Sequence, residues 1–354
     1  MLRLPALPNS RAGFSLVELI LGLALGLLTL LALSEVYVAF HGNSRATGGT
    51  ADAQTAAMGA LFAIERDLQQ AGPGQGDARL LGCSASLSAG QSMTLAPVRI
   101  QPGLSGAPDT LILLASDLLA APSRLAASLT ATSTGIALAS TQGMRINDIL
   151  GLGETGQPCA LARVTSVDSL MRVSHAMLAP GATAGLGYSS EAMAFNLGRL
   201  SQVSYSVSVA NGELRRGIGD HAGNSQEVRS VAANIVSLKA QYGFDTRAVI
   251  QPGLQVTRWS AVMIDADGSG TAGDSGDWQR IAGVRIVVVA RSANREAGAC
   301  AATAANPPGW QADNGSGVLV HTNVDLSHLP DWQCYRYRSY ETVVPLRNVL
   351  WGRP

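Results

Sequence analysis

The chain has 354 residues, of which 47% are apolar and only 14% charged, and its Lys+Arg and Asp+Glu counts are both 25, so the formal net charge is zero. A disordered chain would be less apolar and carry more net charge, and a nucleic-acid binder would usually show a basic excess or stripe, which is absent here. A polytopic membrane protein would show many apolar runs of about 20 residues, whereas this chain has one.

Residues 1–13 carry Arg3, Arg11, two prolines and no acid, and the prolines argue against a helix. From Phe14 to Phe40 there is no proline and little but apolar side chains. As a helix at ~1.5 Å per residue this run spans roughly 40 Å, enough to cross a hydrocarbon core of about 30 Å. Arg3 and Arg11 predict a cytoplasmic N-terminus, with the rest of the chain outside. A secretory signal places its small-residue cleavage site after the apolar core. Here the small residue, Gly13, precedes it, so cleavage there leaves the run on the mature chain. Glu18 is a second anomaly, because a carboxylate in a membrane helix costs on the order of 2.5–3.5 kcal/mol at mid-bilayer. Gly22 and Gly26 have the spacing of a close-packing patch, although glycine is also tolerated in such helices without one.

Gly13-Phe14-Ser15-Leu16-Val17-Glu18-Leu19 resembles the cleavage motif of type IV prepilins and type II secretion pseudopilins. The resemblance implies that a prepilin peptidase cuts between Gly13 and Phe14 and that the new Phe14 amine is N-methylated. It also implies that Glu18, fifth in the mature chain, pairs with the Phe14 amine of a neighbouring subunit during assembly. Pairing a buried cation with a buried anion removes two desolvation costs together. Many major pilins carry a kinking proline in this segment. Its absence here, with Glu35 near the end of the run, points away from the major filament subunit. Loss of residues 1–13 removes two arginines and no acid, so the formal charge falls from 0 to −2.

Residues His41 to Thr55 are polar and small. Ala57, Met58, Leu61, Ile64, Glu65 and Leu68 then recur at helical spacing, predicting an amphipathic helix over about 54–71, stopped by Gly72 and Pro73. This helix is expected to continue the membrane helix and to lay its apolar face on a globular head. The expected organisation is a leader over 1–13, a transmembrane and assembly helix over 14–40, its continuation over 41–72, and a periplasmic β-rich head over 73–354. Candidate strands are Met93–Ile100, Asp109–Leu114, Gly135–Ala139, Asp148–Leu152, Cys159–Ser166, Leu170–Ser174 and Val203–Val209. Val203, Tyr205, Val207 and Val209 alternate with polar residues, and Asn211-Gly212 then marks a hairpin turn leading into Glu213–Arg216. Val228–Leu238 fits helix or strand. Gly283–Ala290 reads as a buried strand and Tyr335–Pro345 as a long final one. Ala115–Ser140 is low in complexity and reads as loop-rich. The class is α+β, with one long N-terminal helix and a large antiparallel sheet domain.

Several segments resemble the minor pilin family PilW. They are Ala63-Ile-Glu-Arg-Asp-Leu-Gln-Gln-Ala-Gly72 followed by Gly82-Cys83, then Pro108-Asp-Thr-Leu111, and Ile146-Asn-Asp-Ile-Leu150 followed by Cys159. Further along come Ile235-Val-Ser-Leu-Lys-Ala-Gln-Tyr-Gly-Phe-Asp245, Val284–Arg291 and Tyr340-Glu-Thr-Val-Val-Pro-Leu-Arg-Asn348. The resemblance implies a pilin-like fold and an inner-membrane precursor that joins the pilus, at its tip. The implied partners are the prepilin peptidase, minor pilins of the PilV, PilX, FimU and PilE type, and the major pilin. The implied role is to prime pilus assembly and support twitching motility and adhesion. The pseudopilin GspJ is the nearest competitor; the closing Thr-Val-Val-Pro-Leu-Arg-Asn fits PilW better.

Four cysteines, Cys83, Cys159, Cys300 and Cys334, form no C-x-x-C pair, which argues against a zinc or redox motif. All lie on the predicted outer side, where disulfides form. Of three possible pairings, the sequence neighbours Cys83–Cys159 and Cys300–Cys334 are favoured. Asp265, Asp267, Ser269, Gly270 and Thr271 resemble the first half of an EF-hand loop, which makes Ca²⁺ the candidate ion. Gly276 stands where such a loop has its bidentate Glu, so Asp274 or Asp277 would have to substitute. Gly273-Asp274-Ser275-Gly276 resembles the serine motif of chymotrypsin-like proteases. The motif needs a His base, and the five histidines (41, 175, 221, 321, 328) sit in unrelated contexts. No P-loop, nucleophile elbow or H-E-x-x-H is present, and no enzyme activity or other cofactor is expected. The five tryptophans (259, 278, 310, 332, 351) read mainly as core or loop anchors.

Overall fold

The computed structural model describes residues 15–72, 76–88, 91–118, 120–130, 132–179, 187–222, 224, 227–249, 253–295 and 307–351. They fall into two compact units, one ending at Gly49 and one beginning at Thr50.

The first unit is the early part of helix α1 (Leu16–Gln70). Ser15 caps it. Its hydroxyl accepts the Val17 N–H at 3.3 Å, and its carbonyl accepts the Glu18 and Leu19 N–H groups, meeting donors that a helix start leaves unpaired. Leu16–Tyr37, 22 residues, is apolar enough to cross a membrane, and none of it is buried within the chain. At ~1.5 Å per residue it spans about 33 Å, close to the hydrocarbon thickness.

The second unit holds the last turns of α1 and all the strands. Ala53, Ala57, Ala60, Ile64 and Leu68 form the buried stripe of the helix. The stripe is narrower than the sequence suggests, because Met58, one residue and ~100° on from Ala57, is exposed. Alanines at three of the five positions let the helix approach the sheets closely. Gly72 ends this segment with φ +69°, and any Cβ there would sit 2.6 Å from the Pro97 ring; only glycine meets both demands. Pro73, the second expected stop signal, lies outside the described residues.

Strands β1 (Ser84–Ser88) and β2 (Gln91–Thr94) form a ribbon. β3 (Val98–Gln101) and β4 (Thr110–Ala115) belong to a five-stranded sheet. The single strand expected over Met93–Ile100 is thus two strands in two sheets, broken around Pro97, which has no N–H for a ladder. β5 (Ser123–Arg124), β6 (Gly135–Ala137), β7 (Ile149–Gly153), β8 (Ala160–Ser169), β9 (Arg172–Met177) and β10 (Met193–Asn196) make a six-stranded sheet in the order β5-β10-β7-β8-β9-β6. β11 (Ser201–Ser208), β12 (Glu213–Asp220) and β13 (Glu227–Ala233) complete the five-stranded sheet, ordered β13-β12-β11-β4-β3. Ser208 faces Glu213 across the Asn211-Gly212 hairpin. β14 (Ile235–Phe244), β15 (Arg258–Ser260), helix α2 (Ser275–Trp278) and β16 (Ile281–Arg291) follow. The ambiguous stretch Val228–Leu238 resolves into parts of β13 and β14, divided by Asn234 at φ 60°, a conformation asparagine tolerates better than most residues. β17 (Gly309–Asp313) and β18 (Leu319–Asn323) form a second ribbon, and β19 (Tyr337–Pro345) precedes helix α3 (Arg347–Trp351). The four-stranded sheet runs β15-β14-β16-β19. Every pairing between these strands is antiparallel.

β14 and β16 are almost wholly buried because the four-stranded sheet is covered on both faces. Leu238, Ala240, Tyr242, Val284, Ile286 and Val288 share one core with the buried face of α1. On the opposite face, Val236, Val287 and Val289 meet Trp310, Ala312, Val324, Leu326 and Leu329. Side-chain alternation along β16 feeds the two cores; in β14 a register shift between Ile235 and Ser237 puts Val236 on the face opposite Leu238. A separate core fills the six-stranded sheet around Leu138, Leu150, Leu152, Val164 and Val173.

Candidate functional site

The N-terminal segment carries its chemistry on an exposed helix. Glu18 lies in the first turn of α1, where a carboxylate interacts favourably with the helix dipole. Gly22 and Gly26 follow at four-residue steps, and a Cβ added to either would meet nothing within 4 Å. The two glycines therefore answer to no contact among the described residues. Gly13 and Phe14, the expected processing pair, lie outside the described residues.

In the head, Cys83 and Cys159 form a disulfide with Cα atoms 6.2 Å apart, as expected. It joins the residue before β1 to the residue before β8, and the Cys159 N–H also donates to Cys83 Sγ at 3.1 Å. Cys334 is buried and disulfide-bonded; Cys300, its expected partner, lies outside the described residues.

The acidic loop before β16 gathers Asp265, Asp267 and Asp277, whose carboxylate oxygens lie within 4.8 Å of one another. Asp277 is fully buried. Its Oδ1 accepts the Ala266 and Asp267 N–H groups and its Oδ2 the Gly273 N–H. Asp265 accepts the Gly268 and Gly270 N–H groups. The Ser269 N–H on Asp267 holds that carboxyl below the ordinary carboxylate range despite its partial burial. Asp274 has a different job. Its Oδ1 caps α2 by accepting the Asp277 N–H, and its Oδ2 accepts the Ser269 hydroxyl at 2.7 Å. A Cβ at Gly276 would lie 1.9 Å from Asp267 Oδ2, so glycine here makes room for Asp267. Of the expected ligand set, Asp265 and Asp267 come together, and Asp277, one residue past the EF-hand's closing position, is the third carboxylate. Three carboxylates, with the Ser269 hydroxyl and Thr271 carbonyl nearby, are hard oxygen donors of the kind Ca²⁺ takes.

The protease-like serine, Ser275, opens helix α2. Its neighbour Asp274 caps a helix, and no hydrogen bond joins Ser275 to a histidine among the described residues.

Sequence reasoning missed two buried ionic clusters. In one, Asp67 of α1 accepts Arg216 Nε at 2.6 Å and lies 2.8 Å from the Tyr205 hydroxyl, which is also 3.0 Å from the Ala63 carbonyl. Burial, then the hydrogen bond and charge of Asp67, push the Tyr205 pKa up, so the hydroxyl stays protonated. In the other, Lys239 of β14 pairs with Asp109 at 3.0 Å. Their partners are 149 and 130 residues apart, and no local pattern in the sequence signals either. Two of the tryptophans behave as anchors. Trp278 packs edge-on against Tyr242 with ring centres 5.8 Å apart, and Arg285 lies 4.5 Å over the Trp259 ring.

The fold defines a class of protein: an N-terminal apolar helix of membrane length followed by a large antiparallel β-rich domain. Residues 202–348, from β11 into α3, match the family described as Type IV Pilus-assembly protein W, PilW. A type IV-like pilin from Thermus thermophilus aligns at 12% identity over 58% of this chain and 86% of that one, with a TM-score of 0.21. Among curated protein sequences, none matches the chain.

Proposed function

We propose that the chain is a minor pilin of the PilW type, made as a prepilin, held in the inner membrane by Leu16–Tyr37 and then built into a type IV pilus. One conjunction carries the reading. A fully exposed apolar helix bearing Glu18 stands at one end of the chain, and a segment matching a pilus-assembly family makes up the other. An exposed apolar surface of that extent needs lipid or other helices around it. A prepilin peptidase removes residues 1–13 and the Phe14 amine is methylated. Glu18 then accepts the Phe14 amine of a neighbouring subunit, which draws the helix out of the bilayer into the filament. The head meets other minor pilins of the PilV, PilX, FimU and PilE type in the complex that primes assembly, at the tip, and so supports twitching motility and adhesion. The acidic loop takes Ca²⁺ through Asp265, Asp267 and Asp277.

N-terminal sequencing of the protein from cells with and without prepilin peptidase tests the reading. Phe14 should be the first residue only when the peptidase is present. Gly13→Val should leave the leader attached while the protein stays in the membrane. Glu18→Ala should be cleaved yet enter pili poorly. Normal piliation by the Glu18→Ala variant would refute the pairing, and co-purification with a secretion pseudopilus instead of pili would favour the GspJ-like alternative.

A further inference from the structure

Lys239 is the only lysine in the chain; arginine supplies the other 24 of its 25 Lys and Arg residues. Its side chain is 17% exposed and that of Asp109 is 4% exposed. The ammonium meets Asp109 Oδ1 at 3.0 Å and the Ala107 carbonyl. The carboxylate is held from the backbone as well, Oδ1 by the Gly103 N–H at 2.9 Å and Oδ2 by the Ala240 N–H at 2.9 Å. The Asp109 N–H donates to the Leu238 carbonyl at 2.8 Å, so the two chain segments are locked side by side. A second carboxylate lies on the adjoining Gly106 segment. Asp325 is exposed; its Oδ2 lies 2.4 Å from where a Gly106 Cβ would stand, one residue from the Ala107 that Lys239 holds, and hydrogen bonds from Ser327, then the charges of His328 and Lys239, keep it ionised.

A permanent ion pair at this position would be served as well by arginine, which never loses its proton and offers more donors. Lysine differs in that its amine, once desolvated and deprotonated, is a nucleophile. We infer that Lys239 and Asp109 are the precursors of an intramolecular isopeptide bond, with Asp325 as the proton carrier. In the proposed reaction the Lys239 ammonium passes one proton to Asp109 Oδ1 across their contact. The Nζ lone pair attacks Asp109 Cγ, and negative charge develops on Oδ2, where the Ala240 N–H already points. Asp325 takes a second proton from the nitrogen and delivers it to Oδ1, which leaves as water. One C–N bond forms and one C–O bond breaks. Nothing is oxidised or reduced, and no co-reactant is consumed. The product ties the entry to β4 in the five-stranded sheet to β14 in the centre of the four-stranded sheet. The inference stands independently of the pilin reading.

Two measurements on the full chain, purified in detergent with its disulfides reduced, test it together. They are intact mass and amine labelling under denaturing conditions followed by peptide mapping. The wild type should weigh one water less than its observed N-terminus predicts. Lys239 should resist labelling, and one branched peptide should join the segments containing Asp109 and Lys239. Lys239→Arg, which keeps the ion pair, and Asp109→Ala should both show the full mass. Asp325→Asn should leave a fraction of chains unlinked and labelled at Lys239. A wild-type chain in which Lys239 labels completely overturns the inference, whether its mass is full or the missing water maps elsewhere, as to a succinimide at Asp267-Gly268.

Discussion

Replacing Asp67 with alanine should loosen the last turns of α1 from the five-stranded sheet, and the structure supplies the size of the effect. The Asp67 side chain is 9% exposed and that of its partner Arg216 is 26% exposed. Removing one member of a fully buried ion pair costs about 3–5 kcal/mol. Arg216 is partly hydrated already and recovers some of that, which brings its share down to about 2 kcal/mol. The Tyr205 hydroxyl keeps the Ala63 carbonyl at 3.0 Å, so its loss is under about 1 kcal/mol. The expected destabilisation is therefore about 2–3 kcal/mol for Asp67→Ala, less for Asp67→Asn, which keeps an acceptor oxygen, and about 1 kcal/mol for Tyr205→Phe. Urea unfolding of the full chain in detergent, followed by tryptophan fluorescence, reads these values, since Trp278 and Trp310 are buried in the same unit. The denaturant slope should not change. A loss below about 0.5 kcal/mol for Asp67→Ala would refute the clamp. So would strict additivity of Asp67→Ala and Arg216→Ala, because residues that contact one another couple.

Three further outcomes follow from the head. The Cys83–Cys159 bridge closes a sequence separation of 76 residues, so Cys83→Ser with Cys159→Ser should lower stability by about 4 kcal/mol; an unchanged urea midpoint would contradict this. Hydrogen bonds from the Arg247 guanidinium hold Asp245 down at about 2, below its usual 3.8. A depressed carboxyl stabilises the fold above its unfolded pKa and loses that contribution as pH falls through the folded one. Stability should thus drop by about 2 kcal/mol between pH of about 4 and 2, and Asp245→Asn should remove that part of the acid dependence. Adding Ca²⁺ should raise the melting temperature, and Asp277→Asn should abolish the rise; identical melting in Ca²⁺ and in chelator would count against the acidic loop as a site.

Local physics accounts for the elements that sequence reading found. The apolar helix needs only composition and length. The β11–β12 hairpin follows from alternating Val203, Tyr205 and Val207 and from Asn211-Gly212, because residues across a short turn have little choice of partner. β16 is visible as an apolar run interrupted only by Arg285, the mark of a strand buried on both faces. Two kinds of element escape local pattern: the short strands β1, β5, β10, β15, β17 and β18, of two to five residues, are too brief to show a period, and two other stretches are divided between different sheets. The join between β2 and β3 and the join between β13 and β14 both turn within a few residues, and periodicity alone cannot divide an apolar stretch between two layers.

By itself the sequence determined the apolar helix with Glu18 in its first turn and the α+β class, and it favoured the nearest-neighbour disulfide Cys83–Cys159 and pointed to two of the three clustered carboxylates. Each of these rests on residues whose type or spacing limits the alternatives. Only the tertiary structure decided that Asp277 completes the acidic cluster, that Met58 faces away from the core, that Asp67 meets Arg216, and that the sole lysine lies against Asp109. A charge can choose among many distant partners, and the choice is made by how sheets stack and which faces they bury, which no local pattern encodes.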